Sequence, residues 1–320
     1  MYPPTERPRD PDPGSAGPPG RAPLVSVVIP SFNRLNLLKL AVESVYAQTF
    51  TDWELVIADD GSDAEVRHYI ESLMTRQRVT VLWLTHSGRP AAVRNAALQR
   101  AVGEYVAFLD SDDLWAATKL ERQIETLRAR PNCRWCYTAF LRVDADGIPL
   151  DDEARRLWVP YEGDIFEQTA TTCAAIRTPS VLATRQLLMQ SGGFDESLPS
   201  AEDYDLWLRL ALHSDAAVVD EPLVHVRYHE ENHTRDWQSA FVGRDRSLAR
   251  CQQLVHSGRR SLLRKERMHN ALRLAAAHAE RGDRGRAGRA LWDSLPYCWR
   301  YPQWWLRGLK TLLHPPRRNA

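Results

Sequence analysis

Four stretches of this 320-residue chain carry side chains that could do chemistry. The first is "EYVAFLDSDDLW", residues 104–115, where an apolar run ends in Asp110, Ser111, Asp112 and Asp113. Three adjacent carboxylates repel one another unless something positive sits among them or water solvates them fully. A hard divalent cation such as Mg²⁺ or Mn²⁺ takes one or two carboxylates together with phosphate oxygens and water. Asp110 and Asp112, two residues apart, could place one carboxylate on such a metal and the other on a ribose or a metal-bound water. The alternative is a solvated acidic turn in which Asp113 caps the following helix.

The second stretch, "ADDGSDAE", puts Asp60 at a strand end, where an ionised carboxylate could accept hydrogen bonds from a base N–H. Plain turn chemistry would use the same residues. In the third, "SGRPAAVRNAAL", the guanidinium of Arg94 could pair with a diphosphate, although an arginine on an amphipathic helix is otherwise simply solvated. The fourth, "AEDYDLWLRLAL", opens a helix with Glu202 and Asp203, as the helix dipole favours. Just before it, "SGGFDESLPS" holds two glycines that permit positive φ in a turn.

The elements that must position these groups follow from periodicity. "LVSVVIP" (24–30), "ELVIADDGS" (54–62), "VTVLWL" (79–84) and "EYVAFLD" read as strands. Leu37, Leu38, Ala41, Val42 and Val45 form one apolar helical face, and residues 89–101 read as a second helix. Apolar strands alternating with helices predict an α/β fold with a mostly parallel sheet covered on both faces. Ligands bind such sheets beyond the carboxyl ends of the strands. "PSFNR", "ADDGS" and "DSDD" all fall at such ends, so that edge is the candidate site. Further on, "TKLERQIETLRA" reads as a helix, "CRWCYTAFLRVD" as a strand, and "AAVVDEPLVHVRYH" as two short strands around Glu221-Pro222.

Taken in order, "SVVIPSFNR", "ADDGSD", "AAVRNAAL", "GEYVAFLDSDD", "GGFDE" and "AEDYDLWLRLA" resemble the motifs of family 2 glycosyltransferases, inverting enzymes of the GT-A fold that use nucleoside-diphospho-sugars. The resemblance runs from about Val25 to His233. It implies a donor pocket lined by Pro30, Phe32 and Arg34, with Asp60 on the base, Arg94 near the diphosphate, and Asp110 and Ser111 on the sugar-nucleotide. Asp110 and Asp112 resemble the family's DxD pair, which holds the sugar-nucleotide and Mn²⁺ or Mg²⁺, with Asp113 as the alternative metal ligand. Asp203 resembles the catalytic base, Glu202 is its fallback, and His229 matches a less regular position near the diphosphate or metal. Phe32 stands where Tyr is frequent and Ala97 where Gly is common; neither touches the acids.

Inverting transfer asks for these residue types. One carboxylate takes the proton of an acceptor hydroxyl as it attacks the anomeric carbon, while a metal stabilises the departing diphosphate. A hydrolase would need an acid and base flanking one bond. The expected acceptor is a cell-surface glycan or lipid-linked intermediate. A rival reading is a catalytically silent scaffold subunit of a glycan assembly complex; intact Asp112 and Asp203 argue against it. An oxidoreductase would need a G-x-G-x-x-G after the first strand, and none is there.

Composition sets the frame: 43% hydrophobic, 26% charged and a net charge of +1. Residues 1–23 are rich in Pro, Gly and charge, which predicts disorder. They contain no apolar signal core, and no run of apolar residues is long enough to span a membrane. A catalytic domain is expected over 24–236 and a basic helical extension over 237–320. From Arg235 onward 19 Lys and Arg stand against 6 Asp and Glu. The final "PQWWLRGLKTLLHPPRR" joins Trp and Leu to Arg and Lys, which suits peripheral contact with an anionic membrane; the alternative is a helix packed on the catalytic domain. Nucleic acid is not expected, because the aromatics do not interleave with the charges. Five cysteines at irregular spacing predict no disulfide scaffold and suit a reducing cytoplasm; the resemblance and the basic tail together imply a peripheral place at the inner face of the cell membrane. Cys133 and Cys136, a lone CxxC, fit a strand better than a zinc site.

Overall fold

Short β-branched runs capped by polar turns build the sheet, and amphipathic segments between them cover it. The computed structural model describes residues 21–150, 158–228 and 237–313. They divide into two compact units: residues 21–150, 158–165, 174–196 and 210–228 fall to the first, residues 166–173, 197–209 and 237–313 to the second.

The first unit contains β1 (Val25–Ser31), α1 (Leu35–Tyr46), β2 (Trp53–Asp59), α2 (Ala64–Leu73), β3 (Val79–Trp83), α3 (Pro90–Arg100) and β4 (Tyr105–Phe108), then β5 (Leu114–Trp115), α4 (Lys119–Ala129) and β6 (Cys133–Val143). After α5 (Phe166–Ala170), which lies in the second unit, come β7 (Leu182–Thr184), α6 (Arg185–Gln190), α7 (Glu202–His213) and β8 (Asp215–Arg227). The strands join in the order β3-β2-β1-β4-β7-β6-β8-β5. β3, β2, β1 and β4 are mutually parallel, as are β6 and β8, while β7 and β5 run antiparallel to their neighbours. The mostly parallel α/β architecture expected from the alternation is therefore present, with the short antiparallel β7 let into its middle.

Every residue of β2 is buried and only Pro30 of β1 is partly exposed, as strands covered on both faces require. Pro30 lies past the last pair between β1 and β4 (Val28 with Phe108), so its missing N–H breaks no bond to that strand. One expectation needs correcting. Residues 215–227 form a single strand rather than two, and Pro222 is absorbed by register shifts where Thr138, Ala139 and Phe140 face Val219, Pro222 and Val224. Cys133 is half-buried and Cys136 fully buried on β6, and all five cysteines are free thiols.

The second unit is helical: α5, the start of α7, then α8 (Trp237–Leu254), α9 (Ser257–Glu280), α10 (Arg284–Cys298) and α11 (Pro302–Leu313). Met268, Leu272, Ala275, Leu291 and Trp304 belong to its own apolar core. No helix among the described residues is long and apolar enough to cross a membrane.

Candidate functional site

Parallel pairing brings the ends of β1, β2 and β4 to one edge, and the loops beyond them are stitched together. Ser62 Oγ donates to Asp59 at 2.5 Å and accepts from the Asn33 N–H at 2.8 Å, while Asn33 Oδ1 accepts from the Asp63 N–H at 3.0 Å. The turn after β1 needs two consecutive left-handed residues, Asn33 (φ 54°) and Arg34 (φ 62°). Asparagine tolerates that region; arginine is uncommon there.

The three acids of "DSDD" do not share one cation. Asp110 Oδ1 accepts from Arg94 Nη2 at 2.7 Å, and Asp112 Oδ2 from Arg34 Nη1 at 2.5 Å. Asp113, 4% exposed, accepts the Arg227 backbone N–H at 2.8 Å. Burial, with Asp112 and Asp110 beside it, pushes its carboxyl well above the usual carboxylate range. It caps no helix, since α4 begins only at Lys119. The 110–113 turn, closed by the Asp113 N–H on the Asp110 carbonyl at 3.1 Å, thus hangs from Asp113 and presents Asp110 and Asp112 to two guanidiniums. Arg94 also lies over the Phe194 ring, 5.4 Å from its centroid.

Asp60, also 4% exposed, is engaged by a loop that the sequence reading passed over. Oδ1 accepts from the Ser87 N–H (2.8 Å) and hydroxyl (3.0 Å), Oδ2 accepts from the Gly88 N–H (3.0 Å), and His86 Nδ1 lies 3.1 Å away. The carboxylate thereby organises residues 86–88 and stacks the His86 ring on Phe32, with centroids 4.1 Å apart and planes at 20°. Gly61 (φ +80°) makes room: a Cβ there would lie 3.0 Å from the His86 nitrogen. Pro90 at the start of α3 was the one local sign that residues 85–89 form an ordered entry to a helix.

Asn95, beside Arg94, was also missed. Its amide donates to the Phe194 carbonyl (2.8 Å) and Glu196 (2.7 Å), and its Oδ1 accepts from the Phe194 N–H (2.9 Å). A Cβ on Gly193 (φ +65°) would come within 2.7 Å of that oxygen, so the second glycine of "GGFDE" serves close approach as well as the turn.

Glu202 and Asp203 open α7 within the second unit. Both are half-buried, and Asp203 Oδ1 accepts from the Tyr204 N–H at 2.7 Å. Ala201 before them is left-handed (φ 63°). Helix α8 reaches this turn through Gly243, where a Cβ would stand 1.9 Å from the Ser200 carbonyl oxygen. One turn on, Asp205 is fully buried and paired with Arg209 at 2.5 Å. The Tyr204 hydroxyl donates to the Ala170 carbonyl at 3.0 Å. His229 lies outside the described residues, as do residues 1–20.

Among the described residues no three His, Cys, Asp or Glu side chains converge as a ready-made metal cage. A cation carried on a diphosphate needs only one or two carboxylates. Asp112 and Asp110, oxygen donors at the rim of the sheet, fit that requirement.

The family model described as "Glycosyl transferase family 2" matches residues 26–138, the span from β1 to β6. An uncharacterized glycosyltransferase of Rickettsia felis is 33% identical over 203 residues, 63% of this chain and 33% of the relative. The chain thus spans about a third of the length of that relative. The Escherichia coli protein named UDP-Glc:alpha-D-GlcNAc-diphosphoundecaprenol beta-1,3-glucosyltransferase WfgD is 29% identical over 197 residues, 62% of this chain and 73% of the relative. Among solved structures, the mannosyltransferase PcManGT of Pyrobaculum calidifontis, in complex with GDP-Man and Mn²⁺, superposes with a TM-score of 0.59 at 18% identity over 92% of this chain and 86% of that one, a likeness of fold.

Proposed function

On the premise that this chain belongs to glycosyl transferase family 2 and has the GT-A fold, we propose that it transfers one sugar, with inversion, from a nucleoside diphosphate to a hydroxyl of a cell-surface glycan or lipid-linked acceptor. The observation that carries this reading is the pairing of Arg34 with Asp112 and Arg94 with Asp110 at the ends of parallel strands. A diphosphate and its cation would exchange partners with these pairs: carboxylates to the cation, guanidiniums to phosphate oxygens. Phe32, stacked on His86, and Pro30 supply a flat wall for a base. Asp60 keeps that wall in place from behind.

Mn²⁺ or Mg²⁺, held by Asp112 and Asp110, would stabilise the negative charge that develops on the leaving diphosphate. Asp113 anchors the turn that carries them. Asp203 takes the acceptor hydroxyl proton and Glu202 is the neighbouring reserve. No general acid is required, because a diphosphate leaves as a stabilised anion. The name of the E. coli relative, with a UDP-sugar donor and a diphosphoundecaprenol-linked acceptor, supports a lipid-linked acceptor here.

Calorimetric titration with UDP-, GDP-, dTDP- and CMP-sugars, with and without Mn²⁺, tests the donor half. Metal-dependent binding of one donor, abolished in Asp112→Ala, is the expected result. A folded chain that binds none of them under either condition overturns the reading in favour of a silent scaffold.

A further inference from the structure

Helix α11 has two apolar faces, and the second unit uses one. Trp304, Gly308 and Leu312 turn inward: Trp304 is buried, its indole N–H donates to Ser294 Oγ at 2.9 Å, and a Cβ on Gly308 would lie 3.3 Å from Leu291. At about 100° per residue the adjoining, outward side carries Trp305, Leu306 and Leu309, which are 47%, 72% and 54% exposed. The Trp305 indole N–H donates to the Trp299 backbone carbonyl at 2.9 Å, which fixes the Trp305 ring, and the Trp299 side chain is exposed as well.

Lys310 and Arg307 come next around the helix. They line an open groove of about 490 Å³ between α11 and α9, with His269 and Arg273 on the other wall and no carboxylate in the lining. An apolar stripe flanked by cations on a surface helix matches a bilayer interface, where indoles and leucines enter the acyl boundary and Lys and Arg reach lipid phosphates. The excess of basic residues from Arg235 onward favours anionic lipid over neutral. A second copy of the same face would set these cations against their own equivalents.

We propose that this face of α11 docks the protein on membranes containing anionic phospholipid, with a headgroup phosphate in the Arg273–Arg307–Lys310 groove. The inference does not depend on the transfer reaction, because binding to lipid is measured without donor or acceptor.

The test is cosedimentation of the full chain with vesicles of phosphatidylcholine alone or mixed with phosphatidylglycerol. Binding to the anionic vesicles only, weakening as salt rises, is expected. Two double variants follow: Leu306→Glu with Leu309→Glu, and Arg307→Glu with Lys310→Glu. Each should lower partitioning by roughly tenfold or more, with unchanged melting because the altered side chains are exposed. Absence of wild-type binding, or binding by both double variants equal to wild type, overturns the proposal. So does a leucine variant that turns a dimer into a monomer on gel filtration while vesicle binding persists, which would make the stripe a homotypic interface. None of these outcomes alters donor titration, so the two readings fail separately.

Discussion

Arg34 reaches Asp112 at 2.5 Å from a backbone held in the left-handed region at φ 62°. That conformation costs a non-glycine residue roughly 1–2 kcal/mol, so a glycine would sit there more comfortably. Strain retained at a site edge is a sign of a working side chain. Arg34→Gly is expected to leave the melting temperature nearly unchanged, backbone relief offsetting the lost ion pair, while donor affinity falls about tenfold or more through loss of a charge-assisted contact worth roughly 1.5–3 kcal/mol. Wild-type donor affinity in this variant would show that the guanidinium only organises the apo turn.

Asp203→Asn should bind donor as wild type does and turn over at least about 10²-fold more slowly, the usual effect of losing a general base. Steady-state rates alongside donor titration separate the two effects. Equal turnover would remove Asp203 from its role and direct attention to Glu202.

The approach of α8 to the turn before Glu202 has no slack. Gly243→Ala places a methyl 1.9 Å from the Ser200 carbonyl oxygen, a backbone atom that cannot swing aside. Denaturant unfolding should show a loss of roughly 1–3 kcal/mol, the range for overpacking. Turnover should fall with it, because Ala201 and the acidic pair move with Ser200. Unaltered stability would mean that helix and turn are not in contact in solution.

Lys119 is fully buried, its ammonium 3.9 Å from the Trp115 ring centroid and 2.6 Å from Gln123 Oε1. Burial pulls its pKa down to about 7, against about 10.4 in an unfolded chain. Between those values the unfolded chain binds the proton and the folded one does not, so stability rises with pH across that window. Below about pH 7 both states are protonated and the full cost of a buried charge remains. Lys119→Met should therefore stabilise the protein by about 2 kcal/mol or more at pH 6, with the gain shrinking toward pH 10. A gain independent of pH would indicate that the lysine is not buried as a cation.

Much of the candidate site was legible because several of its parts sit at strand ends. β-branched runs mark β1, β2 and β4 by local sterics, and in a parallel sheet their polar continuations must share an edge; Asp60, Asp110 and Asp112 could be named as candidates from that, Arg94 from its helix, and Phe32 and Arg34 only from the resemblance of the ordered motifs. Helix α7 and its acidic opening were equally local, read from the 3.6-residue repeat of its apolar side chains.

Partners far along the chain were not legible. Nothing near Asp113 says that it will hold the N–H of Arg227, 114 residues on, nor near Asp60 that its oxygens belong to Ser87 and Gly88. Lys119 opens a helix whose Leu120, Ile124 and Leu127 mark the buried face, and a lysine beside them reads as solvated until packing closes over it. The antiparallel β7, three residues long, carries too short a pattern to announce its direction. Periodicity and turn sterics act over a few residues, so the sequence alone determined elements and their ends. Which carboxylate meets which donor depends on backbones brought together from distant segments, and that the tertiary structure decided.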